Sequence, residues 1–213
     1  MTASQDNQSA TTADSPHQQE SAPTPAGNPL LDVAYIAVFA ALIIALAFVA
    51  IPVGAAGVPI VLQNAAVILA GLILGRTRGF LTALLFLGLG LIGLPVLAGG
   101  KTTLAALGGP TIGYLVGYLV SATVAGSIAY LAPRGNRKAL TIYLALGAIA
   151  ALACQYLCGS VGMMFRADMS FGQALAVNVP FLIPDLVKAA CVVAIASGVH
   201  LSLPDIRRKA FLK

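Results

Sequence analysis

The 213 residues are 59% hydrophobic and only 9% charged, with a mean hydropathy of +0.92, against roughly a quarter charged in soluble domains. That excludes an ordinary soluble domain and predicts an all-α integral membrane protein. The formal charge of +5 makes no case for nucleic acid, because the basic residues sit in short stretches beside apolar runs, without interleaved aromatics.

Residues 1–29 are polar, contain proline and lack periodicity, so they cannot bury enough apolar surface to offset ordering; they read as a disordered tail. They have neither the basic start nor the apolar stretch of a signal peptide. Apolar runs follow at about 31–51, 60–75, 79–94, 111–131, 139–161 and 182–201. Crossing the hydrocarbon takes about 20 residues, so the second and third runs are short, yet six spans are expected. The domain plan is a tail at 1–29, a six-helix membrane domain at 30–203 and a basic end at 204–213.

Arg76 and Arg78 follow the second run, Arg134, Arg137 and Lys138 the fourth, and Arg207, Arg208, Lys209 and Lys213 the sixth. Only Lys101 and Arg166 fall between runs on the other side. The richer side is expected to be cytoplasmic, which puts both termini inside. The basic end also suits anionic headgroups.

The first run carries Ala37, Ala41 and Ala45 at four-residue spacing, a stripe that lets another helix approach closely, as any helix of a bundle can. Gln63 and Asn64 open the second run. They are either hydrated at the interface or turned inward as amide donors and acceptors.

The glycine-rich loop 93–114 contains GGKTT, which is no phosphate loop: Pro95 stands where the first glycine is required, and a helix rather than a strand precedes it. It reads either as backbone folded over a cavity, around Gly99 and Gly100, or as a plain flexible loop. Thr111 opens the fourth run, and Tyr114 follows one turn in. The fifth run has a polar face late in its course, with Gln155, Tyr156, Gly159, Ser160 and Gly162. Residues 166–179 read as an outer interfacial segment in which Arg166 and Asp168 are solvated. Cys154, Cys158 and Cys191 lie in apolar runs with no histidine nearby to form a metal site, so they read as small buried hydrophobes.

In the last run, Asp185 and Lys188 share one helix face at i,i+3, preceded by Pro180 and Pro184. Charged groups at membrane depth face a cavity or a partner. Gln63, the 99–111 loop, Tyr114, Gln155, Asp185 and Lys188 can therefore converge on one site near the outer face, suited to a small amphipathic ligand. The same pair is also compatible with a structural ion pair in a six-helix permease for another small carboxylate-bearing solute. An intramembrane enzyme using Asp185 lacks a second carboxylate and any Ser–His or Cys–His arrangement.

Four motifs in order, VPIVLQ (58–63), GLPVLAGG (93–100), GPTIGY (109–114) and PFLIPDLVKA (180–189), resemble the BioY family, the biotin-specific S components of energy-coupling factor transporters. The resemblance runs from about Ala34 to the end of the sixth run. It implies six helices in the bacterial plasma membrane, no catalysis and no cofactor, and a biotin site near the outer face roofed by the loops after the first and third helices. Asp185 and Lys188 carry over as ligand residues, with Tyr114 and then Gly99 and Gly100 behind them. It also implies that Ala37, Ala41 and Ala45 dock onto a transmembrane coupling subunit, which works with two ATP-binding subunits. Ile112 departs from the GPTGGY usual in the family, and KTTLAAL is less glycine-rich than usual.

Overall fold

The computed structural model describes residues 29–51, 60–203 and Ile206. The predicted tail, apart from Pro29, and the basic end, apart from Ile206, lie outside the described residues. So do 52–59, within the proline- and glycine-containing loop after the first run.

The described chain is helical apart from one antiparallel pair of two-residue strands, β1 (Ala50–Ile51) and β2 (Ile60–Val61), and an isolated bridge from Leu97 to Lys101. The helices are α1 (Pro29–Ala47), α2 (Gln63–Leu74), α3 (Arg76–Leu91), α4 (Thr103–Leu107), α5 (Ile112–Ala129), α6 (Arg137–Arg166), α7 (Phe171–Ala176) and α8 (Val179–Ser202). Of these, α1, α5, α6 and α8 are long and apolar enough to cross a membrane. The 30 residues of α6 exceed the predicted run at both ends and extend about 45 Å, longer than the hydrocarbon core is thick.

Every residue of α2 except Asn64 is buried, as expected of a helix apolar all round. It packs against α1, α3, α5, α6 and α8, which makes it the axis of the bundle. The outer helices bury one stripe and leave large apolar side chains exposed, among them Val38, Ile142, Ile183 and Ile195. Such a surface suits contact with lipid. Cys191 is exposed there too, while Cys154 and Cys158 are half-buried, so the cysteines are less enclosed than their setting in apolar runs predicts.

Helices α5 and α6 touch through glycine. A Cβ on Gly113 would meet the Cys158 carbonyl, and one on Gly162 would meet the backbone of Gly113. Small residues at such crossings let backbones approach closely, the main source of helix association in lipid. At the opposite end α2 turns into α3 through Gly75 alone, at φ 87°, a conformation that disfavours any side chain. The Tyr130 ring covers this turn, and its hydroxyl donates to the Ile73 carbonyl at 2.8 Å.

Candidate functional site

Pro180 falls in the first turn of α8, where its missing N–H is no loss. Pro184 lies inside the helix, which runs through it, and it can donate nothing to the carbonyl of residue 180. The next turn presents Asp185 and Lys188 on one face, Nζ to Oδ1 at 2.5 Å, with the carboxylate 5% and the lysine 12% exposed.

Three further groups close around this pair. Asn64, on the first turn of α2, donates from Nδ2 to Asp185 Oδ1 at 3.2 Å and accepts from Lys188 Nζ at 2.8 Å. The reverse amide orientation would set its carbonyl against the carboxylate and its amino group against the ammonium. Tyr156 of α6 donates to Asp185 Oδ2 at 2.6 Å. Lys188 also donates to the Val61 carbonyl of β2 at 2.8 Å.

An ammonium has three N–H donors, and Asp185, Asn64 and Val61 take all three. A carboxylate has about four acceptor positions, of which, among the described residues, Asn64, Lys188 and Tyr156 use three, leaving one on Oδ2. The free hydrogen-bonding capacity of the pair is thus an acceptor on the aspartate.

A second tier holds this cluster. Gln155 donates to the Ser121 hydroxyl at 3.0 Å and to the Asn64 carbonyl at 3.3 Å. Gln63 is buried, not hydrated at an interface, and donates to the Val96 carbonyl in the 93–102 loop at 2.7 Å. Tyr114 lies against Gly159, where any Cβ would strike its ring, and donates to Asn178 Oδ1 at 2.6 Å. Asn178, 4% exposed, donates onward to Ser160 at 3.0 Å and to the Ala174 carbonyl at 3.2 Å. Tyr114 therefore joins the cluster's end of the bundle through Asn178 and makes no direct bond to Asp185.

Gly99 and Gly100 are exposed at φ 75° and 71°, in a tight turn closed by Leu97 N–H to Lys101 O at 2.9 Å. They are followed by α4, an element absent from the loop as read in sequence. Thr111 is exposed and makes no side-chain cap bond at the start of α5. Arg166 is exposed as expected, yet it reaches the Leu107 carbonyl at 3.3 Å and ties α6 to α4. The segment after α6 forms α7, capped by a reciprocal Ser170–Gln173 box.

Asn178, Ser160 and Tyr156 join Asp185, Lys188 and Tyr114 as polar groups of this end. Asn178 precedes a helix opened by proline, the usual place for a capping asparagine, yet its side chain makes no cap bond and turns to Tyr114 instead. Spacing holds no signal for that partnership, which spans 64 positions.

The opposite end holds a second buried pair. Arg78, counted in sequence as a basic topology charge beside an apolar run, is 2% exposed and paired with Asp32 at the start of α1. It also lies 5.6 Å from the centre of the Tyr35 ring and donates to the Ile206 carbonyl at 3.3 Å. His200 meets the Leu72 carbonyl at 2.9 Å. Arg76, Arg134, Arg137 and Lys138 are exposed at this end, Lys101 and Arg166 at the other.

The helical bundle, apolar outside and carrying a buried polar cluster around Asp185 and Lys188 at one end, defines an integral membrane protein. The model of the BioY family matches residues 16–205. The biotin transporter BioY of Rhodobacter capsulatus is 42% identical over 168 residues, 74% of this chain and 86% of that protein. The biotin transporter BioY of Thermotoga maritima is 36% identical over 172 residues, 80% of this chain and 95% of that one. Among solved structures, the crystal structure of the S-component for biotin from an ECF-type ABC transporter superposes with a TM-score of 0.70 at 30% identity. It covers 80% of this chain and 91% of its own. The chain belongs to the BioY family.

Proposed function

We propose that this chain is the biotin-binding S component of an energy-coupling factor transporter. It is a six-span subunit of the bacterial plasma membrane with both termini in the cytoplasm. It catalyses nothing itself; biotin is its transported ligand and not a cofactor. A transmembrane coupling subunit and two ATP-binding subunits energise uptake.

The observation that carries this reading is the meeting of the four motifs at one end of the bundle. Lys188 bonds Val61, Gln63 bonds Val96, and Tyr114 reaches the start of α8 through Asn178. Asp185, with one acceptor position left, takes a ureido N–H of biotin. Lys188 holds Asp185 and Asn64 in place and meets the valerate carboxylate only by giving up one of its present acceptors. The Tyr114 and Tyr156 rings supply apolar wall, with Gln63, Gln155, Thr111, Gly99 and Gly100 shaping the surroundings. The remaining docking element is the stripe Ala37, Ala41 and Ala45, exposed along α1 while Ile36, Ala40 and Ile43 face the core. A coupling helix seats there. The cytoplasmic assignment of the end carrying Arg76, Arg134, Arg137 and Lys138 follows the bias of basic residues toward that side.

Titration calorimetry of the purified protein with biotin tests the function. Sub-micromolar affinity, more than about 8.2 kcal/mol, is expected. Absence of biotin binding overturns it.

A second reading, a permease for another small carboxylate-bearing solute with Asp185 and Lys188 as a structural pair, has one observation in its favour: every Lys188 donor is already taken. Biotin binding that survives both Asp185→Ala and Lys188→Ala unchanged would establish the pair as structural.

A further inference from the structure

Between helices α6 and α8 the lipid-facing side of the bundle carries an open apolar groove of about 540 Å³. Its floor is Ala148 and Ala189, both buried, and its walls include the exposed side chains of Ile149, Leu186 and Ala194. Alanine at so many facing positions is what keeps the groove from being filled by the protein's own side chains. In a bilayer a gap of this kind does not stay empty, because its lining then lacks contact partners on one side.

One charged feature marks its lower end. Ser197 lines the groove there, but its hydroxyl is inaccessible to water and so is not presented to a molecule seated in the groove. Below it, Thr141 closes the groove on α6. Lys138 and Arg137, three and four positions earlier, continue the same helix face into solvent and are exposed. The groove thus runs from a basic foot into a largely apolar channel.

We propose that this groove is a binding site for one anionic phospholipid. An acyl chain lies along Ala148, Ala189 and Ala194, and Arg137 and Lys138 hold the phosphate. The order of the two features along the groove matches the order of chain and phosphate in a lipid of the leaflet on that side. Basic pockets between membrane helices recognise headgroups in this way. The site is separate from Asp185 and its partners, so it does not depend on the identity of the transported solute.

The test uses the whole chain in nanodiscs of equal parts phosphatidylglycerol and phosphatidylcholine, with retained lipid counted by native mass spectrometry after release into detergent. One phosphatidylglycerol per chain is expected to survive. Ala194→Phe, which fills the channel, is expected to abolish its retention. The double substitution Arg137→Gln/Lys138→Gln is expected to lower it by roughly tenfold or more without changing the phosphatidylcholine count. A second measurement needs no variant. Phosphatidylglycerol with a photoreactive acyl chain, added to the wild-type protein, is expected to label residues 141–149 and 186–197. Equal retention of the two lipids by the wild type, or labelling confined to other helices, overturns the proposal. So does a dimeric wild-type mass with no lipid label in the groove, which would assign it to a second copy of the chain.

Discussion

Lys188 Nζ donates to the backbone carbonyl of Val61 at 2.8 Å, joining α8 to β2 across 127 positions of sequence. The acceptor is main chain, so no substitution at Val61 removes it, and the contact reports on the lysine alone. It also means that a ligand oxygen reaching Lys188 must replace Val61, Asn64 or Asp185. Occupancy of the site and the position of the strand after the 52–59 segment are therefore linked through one side chain.

Lys188→Met keeps much of the stem's packing and removes the charge, leaving the Asp185 carboxylate buried without its counter-charge. Breaking a buried pair in this way costs about 3–5 kcal/mol. The expected result is a marked fall in melting temperature together with loss of biotin binding by calorimetry. The double variant Asp185→Asn/Lys188→Met is expected to regain most of the stability and none of the affinity. If the double variant bound biotin normally, neither side chain would be a ligand group.

Tyr156→Phe and Tyr114→Phe separate the two tiers. The Tyr156 hydroxyl fixes the carboxylate proposed to meet the ligand, and a hydrogen bond to a charged group contributes about 1.5–3 kcal/mol. Affinity for biotin is expected to fall by roughly tenfold or more, read as Kd. Tyr114→Phe instead orphans a buried acceptor on Asn178 and is expected to lower stability by about 1–3 kcal/mol, with a smaller change in Kd. The opposite pattern would reverse the two assignments.

Gly162→Ala drives a methyl into the backbone of Gly113 and is expected to force α5 and α6 apart. Gly88→Ala, at a position with nothing within 4 Å, is the matched control. It is expected to hold or raise stability, since alanine is favoured over glycine in a helix interior by about 1 kcal/mol. Thermal unfolding in the same detergent compares them, and equal behaviour would refute close helix contact at Gly113.

Asp32→Ala leaves Arg78 buried without its carboxylate and is expected to cost about 3–5 kcal/mol of stability. The biotin Kd is expected to stay within about twofold, because distant sites with no shared partners act independently. A large change in Kd would show that the two ends of the bundle are coupled.

On α1, Ala41→Leu adds bulk to an exposed stripe position without touching the core. Biotin binding is expected to persist while co-purification of the coupling and ATP-binding subunits is lost. Retention of the full complex would exclude this stripe as the docking face.

Composition and apolar run length alone determined that this chain lives in lipid. The four motifs determined its family and pointed to Asp185 and Lys188, because a charged pair in an apolar run is conspicuous whatever surrounds it. The termini of α3 and α6 and the short α4 and α7 were not legible. They depend on cap geometry and on contacts such as Arg166 to Leu107, for which apolar run length holds no signal. Tertiary structure alone decided which polar groups meet. Nothing near Asp32 in sequence marks Arg78, 46 positions away, as its partner, and a basic residue beside an apolar run reads as a topology charge until its burial is seen. Nor does spacing reveal that Asn64 and Val61 join Asp185 in filling every donor of Lys188. Hydrogen-bond saturation is a property of groups brought together from distant segments, and a one-dimensional pattern records only what each segment can offer.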